Sequence, residues 1–409
     1  MKYEKYKDSG VEWIGEVPSH WEVCAFKRKI TINNGKDYKD FSDNEIYPVM
    51  GSGGCFAYCA KFMYDGEALL MGRKGTIDKP LYINGKFWAV DTMFYAVPTK
   101  DLHCKFAYYL ALTFPYSLYS TSTALPSMTQ TDLGNNPVAF PPFAEQQAIA
   151  AYLDEKCKEI NRAIDVQKKK IDLLNELKQT IITNAVTKGL DPNAPMKDSG
   201  VEWIGKVPSH WEVMRLRFAC EFRNGYTPSK ANPDFWENGS IPWYRMEDIR
   251  ESGRFLNEAK QYITRKAVKG NGLFEAGSFI LATTATIGEH AVLIADSLAN
   301  QQFTNLKIRK SLSNRLSRDF FFYYLFVIDD YCKSTTRTAT FPAVNMDDLK
   351  NFGVTIPPLQ EQQAIVAHIE DEVGKIDSRI SRANRRIELL EELMQSIITE
   401  AVTGKIKVC

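Results

Sequence analysis

The sequence predicts an α/β (α+β) protein. It should hold two mixed, strand-rich domains separated by two long helices packed as an antiparallel coiled coil, with a pseudo-twofold internal repeat. Three observations predict this: a boundary motif that occurs twice, two stretches with heptad spacing, and strand-like runs broken by Gly, Pro and Asn between the boundaries.

The repeat is explicit. Lys7 to Val23 reads KDSGVEWIGEVPSHWEV and Lys197 to Val213 reads KDSGVEWIGKVPSHWEV, 190 residues apart and differing only at Glu16 and Lys206. A second boundary, Pro141-Pro142-Phe143-Ala144-Glu145-Gln146-Gln147-Ala148-Ile149, returns 216 residues later as Pro357-Pro358-Leu359-Gln360-Glu361-Gln362-Gln363-Ala364-Ile365. Between these boundaries the copies diverge, and the second insert is longer by 26 residues. A skeleton persists inside the inserts. Phe106 to Leu110 resembles Phe321 to Leu325, and Pro126, Asp132 and Leu133 match Pro342, Asp348 and Leu349. Gly66 to Met71 and Gly277 to Ala282 each read as a glycine turn entering an apolar strand. The expected segments are a frame at 1–23, an insert at 24–140, a long helix at 141–190, a repeated frame at 191–213, a second insert at 214–356 and a second long helix at 357–409.

Both helices begin after Pro-Pro, with Glu145 and Glu361 at the positive end of the helix dipole. Apolar residues then alternate at spacings of four and three. They are Leu153, Cys157, Ile160, Ile164, Ile171 and Leu174 in the first, and Ile369, Val373, Ile376, Ile380, Ile387 and Leu390 in the second. Gln167 and Ala383 fill the remaining seam position, where a polar residue facing Ala fixes register. Gly189 with Pro192, and Gly404, end the helices. The competing reading packs each stripe only on its own insert, but a heptad kept over about three repeats favours helix against helix.

Composition bounds the function. A chain of 409 residues exceeds the roughly 250–300 residues of one core. With 44% hydrophobic and 25% charged residues it resembles a folded soluble protein. The longest apolar run, Phe320 to Ile328, is too short for the roughly 18 residues of a membrane span. No secretory leader is expected at the N-terminus, so the expected compartment is the cytoplasm. Eight cysteines read as reduced thiols, and the Cys55/Cys59 pair lacks a second pair, so no metal is expected. His20 and His210, with Trp13, Trp21, Trp203 and Trp211, read as structural parts of the repeated frame. Net charge is +1, yet residues 24–140 hold 12 basic and 10 acidic side chains and residues 214–356 hold 19 and 15. Positive charge therefore collects in the divergent inserts.

Catalytic motifs are missing. Phe140 and Ile356 precede the Pro-Pro pairs, where an amino-methyltransferase needs Asn, Asp or Ser to hold the target amine. Gly51-Ser52-Gly53-Gly54 lacks dinucleotide spacing, and Gly72-Arg73-Lys74 lacks the spacing of a phosphate-binding loop. Asp234, Glu258 and Lys260 form only a permissive nuclease-like pattern.

A repeated E-W-I-G-x-V-P-x-H-W-E-V entry, a variable insert and a P-P-x-x-E-Q exit into a long helix, each occurring twice, resemble the specificity subunit of a type I restriction-modification enzyme. The resemblance covers essentially the whole chain. It implies that the inserts are target recognition domains, each reading half of a bipartite, asymmetric site in double-stranded DNA. It implies that the helices set the spacer and dock two modification subunits, which bring S-adenosylmethionine. Restriction subunits would bring ATP-driven translocation and cleavage with Mg2+, leaving this chain without cofactor or catalysis. Candidate DNA contacts are Lys36, Ser52, Arg73 and Lys74 in the first domain, and Tyr226, Lys230, Tyr244, Arg245, Thr283, Thr284 and Arg337 in the second. Candidate partner-docking residues are Pro142, Glu145, Gln146 and Ile149 with Pro358, Glu361, Gln362 and Ile365. The alternatives are a single-chain metal-dependent nuclease built on Asp234, Glu258 and Lys260, and a structural adaptor that binds no DNA.

Overall fold

The computed structural model describes residues 2–41, 46–119, 126–335 and 343–408. The chain divides into two compact units, Met1–Lys169 with Ala383–Cys409, and Lys170–Arg382. Each holds one frame segment, one insert and a portion of both long helices.

In the first unit a six-stranded sheet is built from Ile30–Asn34 (β1), Tyr47–Gly51 (β2), Gly54–Cys59 (β3), Tyr64–Gly72 (β4), Leu81–Ala89 (β5) and Met93–Pro98 (β6). Its order is β1-β6-β4-β5-β2-β3, with β2 and β5 parallel. Ala68 to Met71 form an unbroken apolar run because β4 is central and covered on both faces. In the second unit the strands are Cys220–Asn224 (β7), Ile241–Tyr244 (β8), Phe255–Leu256 (β9), Tyr262–Ile263 (β10), Phe279–Ala282 (β11), His290–Leu293 (β12), Leu298–Ala299 (β13) and Phe303–Ile308 (β14). They form a five-stranded sheet, β7-β14-β11-β12-β9, and a three-stranded one, β10-β8-β13.

The frame closes each insert. Glu22–Ala25 pairs antiparallel with Pro137–Phe140 in the first unit, and Glu212–Arg215 with Gly353–Ile356 in the second, so each insert begins and ends on one ribbon. Large sequence changes between those points therefore leave the ends in register.

The long helices span Phe143–Lys188 and Leu359–Val402, 46 and 44 residues. Their ends enter the unit cores. Ile149, Ala150 and Leu153 pack with Ile398, Ala401 and Val402 in the first unit. Ile182, Ala185 and Val186 pack with Ile365 and Ile369 in the second. The start of one helix thus lies with the end of the other in each unit, which makes the pair antiparallel. Of the seam residues, Leu153, Ile160, Ile164, Leu174, Ile369, Ile376 and Ala383 are buried. Cys157, Gln167, Ile171, Val373, Ile380, Ile387 and Leu390 are half-buried. Lys178 on the first helix pairs with Asp377 on the second at 2.8 Å. Both readings of the apolar stripes are therefore partly realised, with the helix ends in the unit cores and a helix-to-helix seam.

Each helix stops on a left-handed glycine, Gly189 at φ +76° and Gly404 at φ +72°. A Cβ on Gly404 would lie 2.4 Å from Pro18 and 3.1 Å from Trp21, and one on Gly189 3.1 Å from Trp211. Frame and helix end thus need glycine for contact as well as conformation.

Candidate nucleic-acid interface

The ends of β1, β2, β4 and β5 and the start of β6 meet at one end of the first unit. Hydrogen bonds between loops fix this end: Gly35 N–H to Met93 O at 2.9 Å, Lys36 N–H to Ala89 O at 2.9 Å, Val90 N–H to Met50 O at 3.1 Å and Arg73 N–H to Thr92 O at 2.8 Å. Met128 N–H closes the set on Arg73 O at 3.0 Å. The second unit repeats it. Gly225 bonds Phe303 O at 2.8 Å, Tyr226 Ala299 O at 2.9 Å, Asn300 Tyr244 O at 3.0 Å, Thr283 Gln302 O at 2.9 Å, and Val344 Thr283 O at 2.9 Å. Gly35 and Gly225 are interchangeable here for a steric reason. A Cβ would lie 1.9 Å from Val90 O in one unit and 2.1 Å from Asn300 O in the other.

These bonds set a residue-by-residue equivalence between the two diverged inserts. Lys36 matches Tyr226, Gly51 matches Arg245, Arg73 matches Thr283, Lys74 matches Thr284, and Gly75 matches Ala285. The last two are both left-handed, at φ +83° and +63°. For Ala285 this is a strained conformation held by its surroundings.

In the first unit the four candidate DNA contacts come together at this end. Lys36 and Lys74 are exposed, and Ser52 and Arg73 are half-exposed. Beside them lies a groove of about 410 Å³ lined by Asn34, Arg73, Lys74, Ser127, Thr129 and Gln130, among others. Neutral hydrogen-bonding groups and two cations on one rim suit both base edges and phosphates.

The second unit corrects several expectations. Tyr244 is fully buried, so it reaches no external ligand, and burial pushes its phenol pKa up. The Tyr226 hydroxyl accepts from Lys269 N–H at 2.9 Å and donates to Ala267 O at 3.1 Å, a structural task. The Arg245 guanidinium is neutralised by Glu247 and lies over the Trp243 ring at 5.9 Å. Thr283 is buried, its hydroxyl on Thr304 at 3.1 Å. Lys230 is exposed and Thr284 half-exposed, and both remain available. Arg337 lies outside the described residues.

The docking candidates are corrected as well. Gln146 is buried and holds three backbone groups: it accepts from His103 N–H at 2.8 Å and donates to Asp101 O at 3.0 Å and Pro141 O at 2.9 Å. Gln362 repeats this with Ser317 N–H at 2.8 Å, Arg315 O at 2.6 Å and Pro357 O at 2.7 Å. Ile149 and Ile365 are core residues. Glu145 accepts from Trp21 Nε1 at 3.3 Å, bonds His20 at 2.9 Å and takes the Tyr3 hydroxyl. Glu361 holds Trp211 and His210 in the same way. Only Pro142 and Pro358 are freely exposed. The helices also carry exposed apolar side chains that are absent from the candidates, four leucines among them. Leu173 and Leu177 are exposed, as are Leu389 and Leu393, 216 residues further on. The repeat offset was the signal that could have found them.

Nothing supports the nuclease alternative. Asp234 pairs with Lys266 at 2.8 Å, while Lys260 pairs with Glu251. Among the described residues no three His, Cys, Asp or Glu side chains are grouped to hold a metal ion.

The chain belongs to the family of the type I restriction modification DNA specificity domain, which matches residues 18–176 and 208–389. It is 42% identical over 185 residues to the type I restriction enzyme EcoprrI specificity subunit of Escherichia coli, covering 45% of this chain and 46% of that one. The chain thus spans about half the length of that relative. Similarity to the MjaVIII specificity subunit of Methanocaldococcus jannaschii is 23% identity, over 96% of this chain and 94% of the relative. A chain solved in work on complex assembly and conformational transition of the type I R-M system shares the fold at a TM-score of 0.69, with 16% identity, covering 95% of this chain and 99% of that chain.

Proposed function

We propose that this chain is the DNA sequence-recognition subunit of a type I restriction-modification complex and performs no catalysis itself. Each unit reads one half of a bipartite, asymmetric site in double-stranded DNA. The observation that carries this reading is the pair of loop ends joined by the same backbone hydrogen bonds but bearing different side chains. One scaffold with two sets of donors and acceptors suits two unlike half-sites. On this reading S-adenosylmethionine is bound by two modification subunits, and ATP and Mg2+ by restriction subunits, in the cytoplasm. Among the described residues no helix is long and apolar enough to cross a membrane. Two equivalent leucine pairs, Leu173/Leu177 and Leu389/Leu393, suit two copies of one partner.

The test is genome-wide mapping of methylated adenines in cells with and without this gene. A split motif that disappears with the gene is expected. An unchanged methylation map in cells that express the modification subunits would overturn the proposal. Cleavage of plasmid by the purified chain with Mg2+ alone would favour the nuclease.

A further inference from the structure

We propose that one equivalent position, Asp91 in the first unit and Gln301 in the second, selects a base in each half-site, an inference that rests on the reading above. Both residues sit at the tips of tight turns: Met93 N–H bonds Val90 O at 2.9 Å, and Phe303 N–H bonds Asn300 O at 3.2 Å. Each turn enters the strand that pairs with both β1 and β4, or both β7 and β11, so its tip lies between the flanking loops. Arg73 Nη1 donates to Asp91 O at 3.4 Å, which ties the tip to the loop carrying two cations. Both side chains are exposed.

The chemistry at the two tips differs in a way that base edges distinguish. No described residue forms an ion pair with the Asp91 carboxylate, although Lys36, Arg73 and Lys74 share its end of the sheet. A bare carboxylate facing DNA repels phosphate and costs affinity, unless it accepts from an amino group. In the major groove cytosine N4 is such a donor. At Gln301, Thr227 Oγ1 donates to Oε1 at 2.5 Å, which orients the carboxamide and leaves Nε2 with one oxygen lone pair beside it. That donor and acceptor pair matches N7 and N6 of adenine. Asp91 therefore selects a C·G pair, Gln301 an A·T pair, and Thr227 positions Gln301. The two residues are 210 apart, at neither repeat offset, so the sequence alone does not align them.

The experiment binds the complex of this chain with its modification subunits to a pool of randomised DNA duplexes and sequences the bound fraction. Asp91→Ala should flatten a C·G preference at one position of one half-site by about ten-fold or more and leave the other half-site intact. Gln301→Ala should do the same at an A·T pair in the other half-site. Asp91→Gln should move the first preference from C·G towards A·T. Wild-type preferences retained by both alanine variants, or a uniform loss of affinity over all sequences, would overturn this assignment while leaving the proposed function standing. A wild-type complex that selects no sequence would sink the proposed function itself.

Discussion

The indole Nε1 of Trp211 donates to the carboxylate of Glu361 at 2.8 Å, fastening a repeated frame segment to the first turn of a long helix. Trp211 is fully buried, so its N–H has no water to turn to if the acceptor is removed. Glu361→Ala should therefore cost about 1–3 kcal/mol. Glu361→Gln, which keeps a carbonyl acceptor, should recover much of it. Denaturant titration of the three proteins checks this, and equal midpoints for all three would refute it.

His290 gives a pH dependence of known sign. It is fully buried, its ring meets Phe326 edge-on at 4.6 Å between centroids, and Arg254 Nη1 lies 3.1 Å from Nδ1. Burial first, then the charges of Arg254 and Lys333, hold its pKa well below the usual value, so it stays neutral in the fold. In the unfolded chain it protonates near pH ~6.5. Below that pH the unfolded state binds more protons, so stability falls as pH drops from about 7 towards 5. Thermal melts over this range should show the slope in the wild type and a flatter one in His290→Gln.

How far the sequence led depended on what each residue had to satisfy. Repeat, helices and seam were legible because heptads and helix ends obey local spacing rules, as Leu153 to Leu174 and Gly189 illustrate. The loop end of the first unit was legible as a loop, since Gly72-Arg73-Lys74-Gly75 advertises a turn after a strand; the arrangement of the corresponding end of the second unit was not. Tyr244 ends the strand Ile241–Tyr244 and Arg245 follows it, at the positions that Met50 and Gly51 hold at the end of β2, but whether a tyrosine faces the core or the solvent depends on pairing between distant strands. Gln146 and Gln362 misled for a related reason. A repeated polar residue suggests a partner, whereas these two satisfy buried backbone groups inside their own unit.

Arg73 and Tyr244 should separate as DNA ligand and core residue. Arg73→Ala should weaken DNA binding by the assembled complex, by roughly 1–3 kcal/mol if it meets a guanine. Tyr244→Phe should leave binding and sequence preference unchanged. Its hydroxyl is buried without a hydrogen-bond partner among the described residues, so deleting it costs no bond. Gel-shift titration of both variants decides, and a binding defect in Tyr244→Phe would return that residue to the interface.

The exposed leucines make a prediction about stoichiometry. Leu389→Glu with Leu393→Glu should remove one modification subunit and leave the other bound, because the Leu173/Leu177 pair is untouched. Native mass spectrometry of the reconstituted complex reads the number directly. Two modification subunits on the quadruple variant, with all four leucines replaced by Glu, would exclude these leucines from docking.

The long helices carry the last prediction. Each is one continuous element, and a turn of helix is added by about four residues at ~1.5 Å each, or roughly 6 Å. Inserted near Gln167 in the first helix and Ala383 in the second, four residues also keep the seam close to register, because a four-residue step is one of the two spacings in the heptad. At ~3.4 Å per base pair, the unread spacer between half-sites should lengthen by about two base pairs while both half-sites stay the same. Methylation mapping with the double-insertion variant measures spacer and half-sites together. A spacer of unchanged length, with activity retained, would mean that something other than helix length sets it.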